Sequence, residues 1–311
     1  MSETAPPASK KPLDRKAAGR LMRLATYAAV GTATTLIVVK FGAWLMTDSV
    51  SLLSTLIDSF LDVAASTVNL LAVRHALEPA DHEHRFGHGK AESLAGLAQS
   101  AFISGSALFL LLQAGERLYN PSIITNTPIG YAVMVFSIIA TIALVVFQKY
   151  VAKRTQSLAI VADSTHYSMD VLVNISVIVS LFLASELGWQ IADPLFAIAI
   201  SFYILHGAYE IGIEAYHILM DRELPQDDRE RIHALASDHP QVISVHDMRT
   251  RQSGPDLFIQ MHLAMSGKLS LFQAHDVADA VMFKVKKAYP RAEVLIHQDP
   301  SGIEEERVFE D

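Results

Sequence analysis

The chain contains no cysteine. Disulfides and thiolate metal sites are therefore excluded, and any metal it holds must be ligated by imidazole and carboxylate, a donor set suited to borderline or hard divalent ions. Charge is scarce as well: Asp, Glu, Lys and Arg make up 19% of the 311 residues while hydrophobic types make up 51%. The mean hydropathy of +0.28 is high for a soluble globular domain, so much of the chain is expected in a bilayer. Basic residues form no long run after position 23, and with a net charge of -8 they give no case for nucleic acid as a partner. The opening stretch, MSETAPPASKKPLDRKAAGR, is polar and basic with no apolar core behind it. It reads as a mobile cytoplasmic arm over residues 1–23, not a signal peptide.

What the chain has in abundance is apolar runs of about 20 residues, the length that crosses hydrocarbon. They fall near Leu24 to Leu45, Val50 to Val73, Ser93 to Leu112, Ile129 to Phe147, Leu158 to Leu183 and Pro194 to Tyr216, which predicts a transmembrane domain over 24–221. Lys10, Lys11, Arg15, Lys16, Arg20 and Arg23 precede the first run. Arg74, Arg85 and Lys90 follow the second, Lys149, Lys153 and Arg154 follow the fourth, and the opposite loops carry almost no Lys or Arg beyond Arg117. The positive-inside rule then makes both termini cytoplasmic and sets Trp44 and Trp189 at the outer interface. Lys40 is expected to snorkel from the outer end of the first run, and His206 reads as a lone polar group. Gly96, Ser100 and Ser104 recur every four residues, as in a close-packing helix face.

After Asp221 the pattern changes. PQDDRERIHALASDHP and SLFQAHDVADAVMFKVKKAY read as helices, whereas VISVHDMRTRQ, DLFIQMHLAM and AEVLIHQDP read as strands. The order αββαβ over 222–311 predicts a small α+β domain with helices on one face of the sheet.

Within the second apolar run, STLIDSFLDVAAS places Asp58 and Asp62 one helical turn apart on one face. An aspartate at the centre of a membrane helix costs roughly 2.5–3.5 kcal/mol on insertion scales, so two of them mark function. The fifth run, ADSTHYSMDVLVN, repeats the spacing with His166 and Asp170. Counted from the cytoplasmic ends at ~1.5 Å per residue, Asp62 and Asp58 lie ~16 and ~22 Å deep, and His166 and Asp170 ~12 and ~18 Å deep. The two helices are antiparallel, so the pairs can meet near mid-membrane and form a closed tetrahedral site of the kind zinc accepts. Such a site suits carrying an ion better than catalysis, since hydrolytic metal sites keep an open position for water. The alternative is a membrane-embedded metalloenzyme, but its Glu-x-x-His or His-Glu-x-x-His pairs do not occur within the six runs. A scaffold without transport activity leaves the carboxylates unexplained.

Two further clusters lie outside the runs. EPADHEHRFGHGK offers Asp81, His84 and His88, with His82 and Glu83 as spare donors, at the expected cytoplasmic mouth. In the soluble domain His262 shares a strand face with Gln260, His297 shares one with Asp299, and His246 and His275 are further candidates.

The paired D-x-x-x-D and H-x-x-x-D, the loop FGHGKAESLA and the segments HDMRTRQSG, FIQMHL, QAH and IHQDP together resemble the cation diffusion facilitators, closest to their bacterial zinc and ferrous-iron efflux subfamily. The resemblance runs from about Leu24 to Asp299. It implies a proton-coupled antiporter of divalent metals (Zn2+, Fe2+, Cd2+ or Mn2+), not an enzyme, in the cytoplasmic (inner) membrane, working as a homodimer. It further implies six transmembrane helices and a metallochaperone-like cytoplasmic domain with structural or regulatory zinc. By resemblance the transport site falls on Asp58, Asp62, His166 and Asp170, and the loop site on Asp81, His84 and His88. The cytoplasmic binuclear site falls on His246, His262, His275, His297 and Asp299, and a hinge salt bridge on Lys90 and Asp221. A D-D-H-D quartet is harder than an H-D-H-D one, which leaves iron, cadmium and manganese in competition with zinc.

Overall fold

The computed structural model describes residues 15–47, 50–119, 128–187, 189 and 191–302. Most of the expected N-terminal arm lies outside them, and from Arg15 onward its residues are already helical. Six long helices come first: α1 (Arg15–Thr47), α2 (Val50–Ala76), α3 (Lys90–Tyr119), α4 (Pro128–Thr155), α5 (Leu158–Leu187) and α6 (Ala192–Leu219). Then follow α7 (Gln226–Ser237), β1 (Val242–Ser253), β2 (Asp256–Met265), α8 (Leu271–Ala288) and β3 (Ala292–Pro300). The chain divides into one unit of Gly19–Tyr216 and another of Met1–Ala18 with His217–Asp311.

In the first unit, five helices among the described residues are long and apolar enough to cross a membrane: α1, α2, α3, α4 and α6. α5 is of similar length, but its first half is diluted by Asp163, Ser164, Thr165, His166, Ser168 and Asp170. It packs against α2, α3 and α4. Small side chains make the fit close, with Met22 and Ala25 of α1, Val73 of α2, Val151 of α4 and Ala159 and Ile160 of α5 fully buried together. The expected small-residue face of α3 is a packing face. A Cβ on Gly96 would come within 3.1 Å of Leu158, and one on Gly212 of α6 within 3.0 Å of Ser100 Oγ, so at both positions glycine lets the neighbouring side chain pack close without shifting. A buried carboxylate fixes the start of α5: Glu92 accepts the Ala159 amide at 3.2 Å and the Ser157 hydroxyl. An anion at a helix N-terminus satisfies amides left unpaired there.

The second unit is a three-stranded sheet in the order β1-β2-β3, with β1 and β2 antiparallel and β2 and β3 parallel. Strand alternation does the sorting. Ile259, Met261, Leu263 and Met265 of β2 point to one face and are buried against Ile232 and Ala236 of α7 and Val277, Val281 and Val285 of α8. Gln260 and His262 point to the other face, which neither helix covers, as the sequence pattern predicts. α8 starts on a capping box in which Ser270 Oγ accepts the Gln273 amide and the Gln273 side chain accepts the Ser270 amide. The segment entering the unit is pinned to β1: the Leu224 amide donates to Thr250 Oγ1 at 3.0 Å, and the Thr250 amide donates to Glu223 at 2.9 Å.

Leu263 is fully buried at the centre of this core. Leu263→Ala should remove about 2–5 kcal/mol of stability, the usual cost of such a truncation. Hydrogen exchange on the full chain would show faster exchange of the β2 amides; unchanged protection would mean that β2 does not carry this core.

Candidate metal centres

The first cluster lies between α2 and α5. His166 Nε2 is 3.1 Å from Asp62 Oδ1 and 3.9 Å from Asp170 Oδ2. The side chains of His166, Asp62 and Asp170 are 8%, 18% and 38% exposed, so the imidazole is enclosed while one carboxylate stays reachable. Ligating atoms of these three lie within 4.8 Å of one another, close to what one bound ion needs. The fourth expected member, Asp58, is exposed one turn along α2; it lies near enough to Asp62 and Asp170 to interact with them electrostatically but is not in the group whose ligating atoms lie within 4.8 Å. The rings of Phe102 and Tyr167 stand edge-on to His166, and the Tyr167 hydroxyl hydrogen-bonds Ser66 of α2 at 2.7 Å, a second tie between the two ligand-bearing helices.

Lys40 is not snorkelling. Its ammonium turns inward to α2, donating to Ser59 Oγ at 2.7 Å and to the Thr55 carbonyl at 3.2 Å. The reason is chemical: acceptors on a neighbouring helix satisfy a buried ammonium as well as a distant headgroup would. Its charge faces Asp62, Asp170 and Asp58. A second group that residue spacing did not single out is Asp163, fully buried three residues before His166 and accepting from Gln148 Nε2 at 2.5 Å. The signal was present in both cases, a charged side chain in an apolar helix. His206, taken as a lone polar group, stands 3.5 Å from Glu210.

The second cluster is the loop between α2 and α3. Asp81 Oδ1 accepts the amides of His84 at 2.6 Å and Glu83 at 2.9 Å, which folds the loop back on itself. Asp81 Oδ2 is 3.2 Å from His88 Nε2, and Asp81, His84 and His88 form a group with metal-ligand spacing. The backbone amide of His84, helped by that of Glu83 and by the two imidazoles, holds the Asp81 carboxyl below the usual carboxylate range. Asp81 is therefore anionic across the physiological pH range. His82 and Glu83 are exposed and stand outside the group.

The third cluster crosses the open face of the sheet. His246, His262 and His297 are register partners on β1, β2 and β3, so their rings form a row, with centroids 5.4 and 4.6 Å apart. A bulge in β1 follows His246, where Asp247 takes a positive φ of 47°. Asp299, two residues beyond His297 and on the same strand face, reaches into the row with a side chain only 7% exposed. Its Oδ2 is 2.9 Å from His262 Nδ1 and 3.3 Å from His246 Nε2, and its Oδ1 is 3.0 Å from His297 Nε2. His246 Nδ1 is buried without a hydrogen-bond partner among the described residues, and the contact of buried Asp299 Oδ1 with His297 does not have hydrogen-bond geometry. Acceptors left over in a nitrogen- and oxygen-rich cluster fit a borderline cation. His275 does not join the row; on α8 it stands 3.6 Å from Asp279. Asp221 lies 3.3 Å from Arg251, and the expected Lys90–Asp221 pairing would join the two units.

A unit of long apolar helices enclosing carboxylates and an imidazole, with a soluble unit bearing a second such cluster, is the build of a membrane protein that handles metal cations. Comparison with known proteins places it further. A family described as the cation efflux transmembrane domain matches residues 26–220, and one described as the cytoplasmic domain of cation efflux proteins matches residues 224–301. The chain belongs to the cation efflux family. It is 49% identical over 283 residues to the cation-efflux pump FieF of Shewanella oneidensis, covering 91% of this chain and 95% of that one. It is 49% identical over 294 residues to FieF of Salmonella choleraesuis, covering 94% and 98%. Among solved structures, the zinc form of a putative zinc transporter CzrB shares 31% identity at a TM-score of 0.26, covering 28% of this chain and 99% of that one. The protein is thus a cation efflux transporter.

The Lys40 geometry makes a prediction. A unit charge ~10 Å from a divalent ion opposes binding by roughly 3 kcal/mol at an effective dielectric near 20. Lys40→Gln should lower the zinc concentration for half-maximal flux by about a hundredfold, and Lys40→Arg should leave it near wild type. A value unchanged in Lys40→Gln would detach Lys40 from the cluster.

Proposed function

We propose that the protein exports a divalent cation of the zinc, ferrous-iron, cadmium or manganese class across the cytoplasmic membrane in exchange for protons. The observation that carries this is the convergence of Asp62, His166 and Asp170 between two apolar helices. Side chains of this kind are costly in a membrane and are retained where they hold a substrate ion or proton. Asp58, one turn away, completes the set once an ion draws the chain around it. In this reading α5 crosses the membrane like its five neighbours and both termini are cytoplasmic. The N-terminal arm, transmembrane domain and cytoplasmic domain divide as 1–23, 24–221 and 222–311, with Lys90 and Asp221 bridging the hinge. The relatives are named cation-efflux pumps, which favours a carrier over a metalloenzyme.

Proton exchange follows from the ligands. Carboxylate and imidazole must be deprotonated to hold a metal, so an ion entering the cluster releases protons and protons entering it expel the ion. Histidine, with an ordinary value near 6.5, is the ligand type whose charge changes in the physiological range, which assigns His166 the exchange. Asp62→Ala or Asp170→Ala should abolish zinc flux in reconstituted vesicles while the folded protein still inserts. An imposed pH gradient, acid outside, should speed wild-type export. Near-normal flux in either variant would contradict the site, and flux indifferent to the gradient would contradict the exchange.

The cytoplasmic row serves a different purpose. An ion on His246, His262, His297 and Asp299 ties all three strands together, and it acts on transport only through an arrangement it binds better than another. We assign it to holding two chains of a homodimer together, with zinc as the resident ion. His275 keeps its expected part only where a second chain's α8 reaches the row. The full-length protein should associate more tightly with zinc than without it, and His262→Ala with Asp299→Ala should weaken that gain several-fold while membrane-site binding persists. Sedimentation with and without zinc measures this; an association constant blind to zinc would refute it.

A further inference from the structure

The loop holds more ligands than one ion needs. Besides Asp81, His84 and His88, the residues His75, Glu78 and His88 form a second group whose ligating atoms lie within 4.8 Å of one another. His75 ends α2 and Glu78 follows in the next turn, tied to it by a Glu78 amide to His75 carbonyl hydrogen bond of 3.0 Å. Their side chains meet, with His75 Nδ1 2.8 Å from Glu78 Oε2. His88 lies between the two groups, its ring centroid 4.5 Å from that of His75 and 4.6 Å from that of His84. Its side chain is only 6% exposed, and Nε2 is engaged with Asp81. The other nitrogen, Nδ1, is buried and has no hydrogen-bond partner among the described residues. A buried imidazole with one nitrogen on a carboxylate and the other unpaired is an unmet ligand.

We propose that His75 and Glu78, with His88 Nδ1, form a second seat for a divalent cation beside the Asp81, His84 and His88 seat. Two imidazoles and a carboxylate suit zinc, whose ligand bonds of ~2.0–2.1 Å put tetrahedral ligands ~3.3 Å apart, within a side-chain adjustment of the spacing present. His75 and Glu78 are about half exposed, so they are reachable from water and free to adjust, while His88 is fixed. Because the seats share one neutral imidazole, they take turns. An ion on one moves to the other by exchanging Asp81, His84 and His88 Nε2 for His75, Glu78 and His88 Nδ1, with the ring proton of His88 passing through water from Nδ1 to Nε2, a short step along the expected cytoplasmic mouth.

The inference rests on the proposed reading of this loop as a metal site, and zinc counting on the full-length protein in detergent separates the two. Zinc bound per chain would be measured for wild type, Asp81→Ala/His84→Ala, His75→Ala/Glu78→Gln, and all four changes together. With two alternating seats, each double variant keeps the wild-type count and the quadruple variant loses one ion per chain. If instead His75→Ala/Glu78→Gln changes nothing in either background, and Asp81→Ala/His84→Ala alone loses the ion, the second seat is overturned while the loop site stands. If all four proteins bind alike, the loop-site reading itself fails. The altered side chains of His75 and Glu78 are exposed, so the variants should elute as wild type does.

Discussion

An ionisable side chain in hydrocarbon must find its partner inside the protein, and this constraint organises the membrane unit. The contact between His166 and Asp62 answers it by joining α5 to α2. Once those two groups face each other, Asp170 is carried to the same place by the helical repeat, and Ser66 and Tyr167 lock the helices one turn further along. Lys40 brings in α1, and Asp163 with Gln148 brings in α4. Polar contacts that look like separate details are thus one requirement met helix by helix. A divalent ion placed in the cluster replaces some of these partners, which is how its arrival can be felt on several helices at once.

The soluble unit solves a different problem with related chemistry. Its stability comes from one apolar face of the sheet under α7 and α8, which leaves the other face free to carry histidines in register. Asp299 draws groups on all three strands toward a common point, where its carboxylate meets His246, His262 and His297. In the loop, ligands are held by a backbone turn around Asp81 and not by a packed core.

Much of this was readable in advance. Apolar runs separated by basic loops foretold the long helices, and strand alternation placed His262 opposite the buried Ile259, Met261 and Leu263, where it is found. The i, i+4 spacing brought His166 and Asp170 to one face because helical geometry leaves no alternative. What spacing alone could not supply was the direction of long side chains. Lys40 was expected to reach outward, yet its acceptors are on α2, which no local pattern encodes. Asp58 has the same spacing and feels the charge of Asp62 and Asp170, but its carboxylate is not within ligand spacing of the other three, since a helix face is wider than one site. His275 and His75 make the same point in opposite directions: identity and proximity in sequence did not say which histidine each cluster would gather.

The central claim is that Asp62, His166 and Asp170 hold the transported ion. The most direct test is a structure of the zinc-loaded full-length protein with the metal located by its own anomalous scattering. The account predicts an ion between α2 and α5 bonded to Asp62, His166 and Asp170, with Asp58 drawn toward it. Zinc confined to the loop and the cytoplasmic row, in a preparation that transports it, would contradict the account.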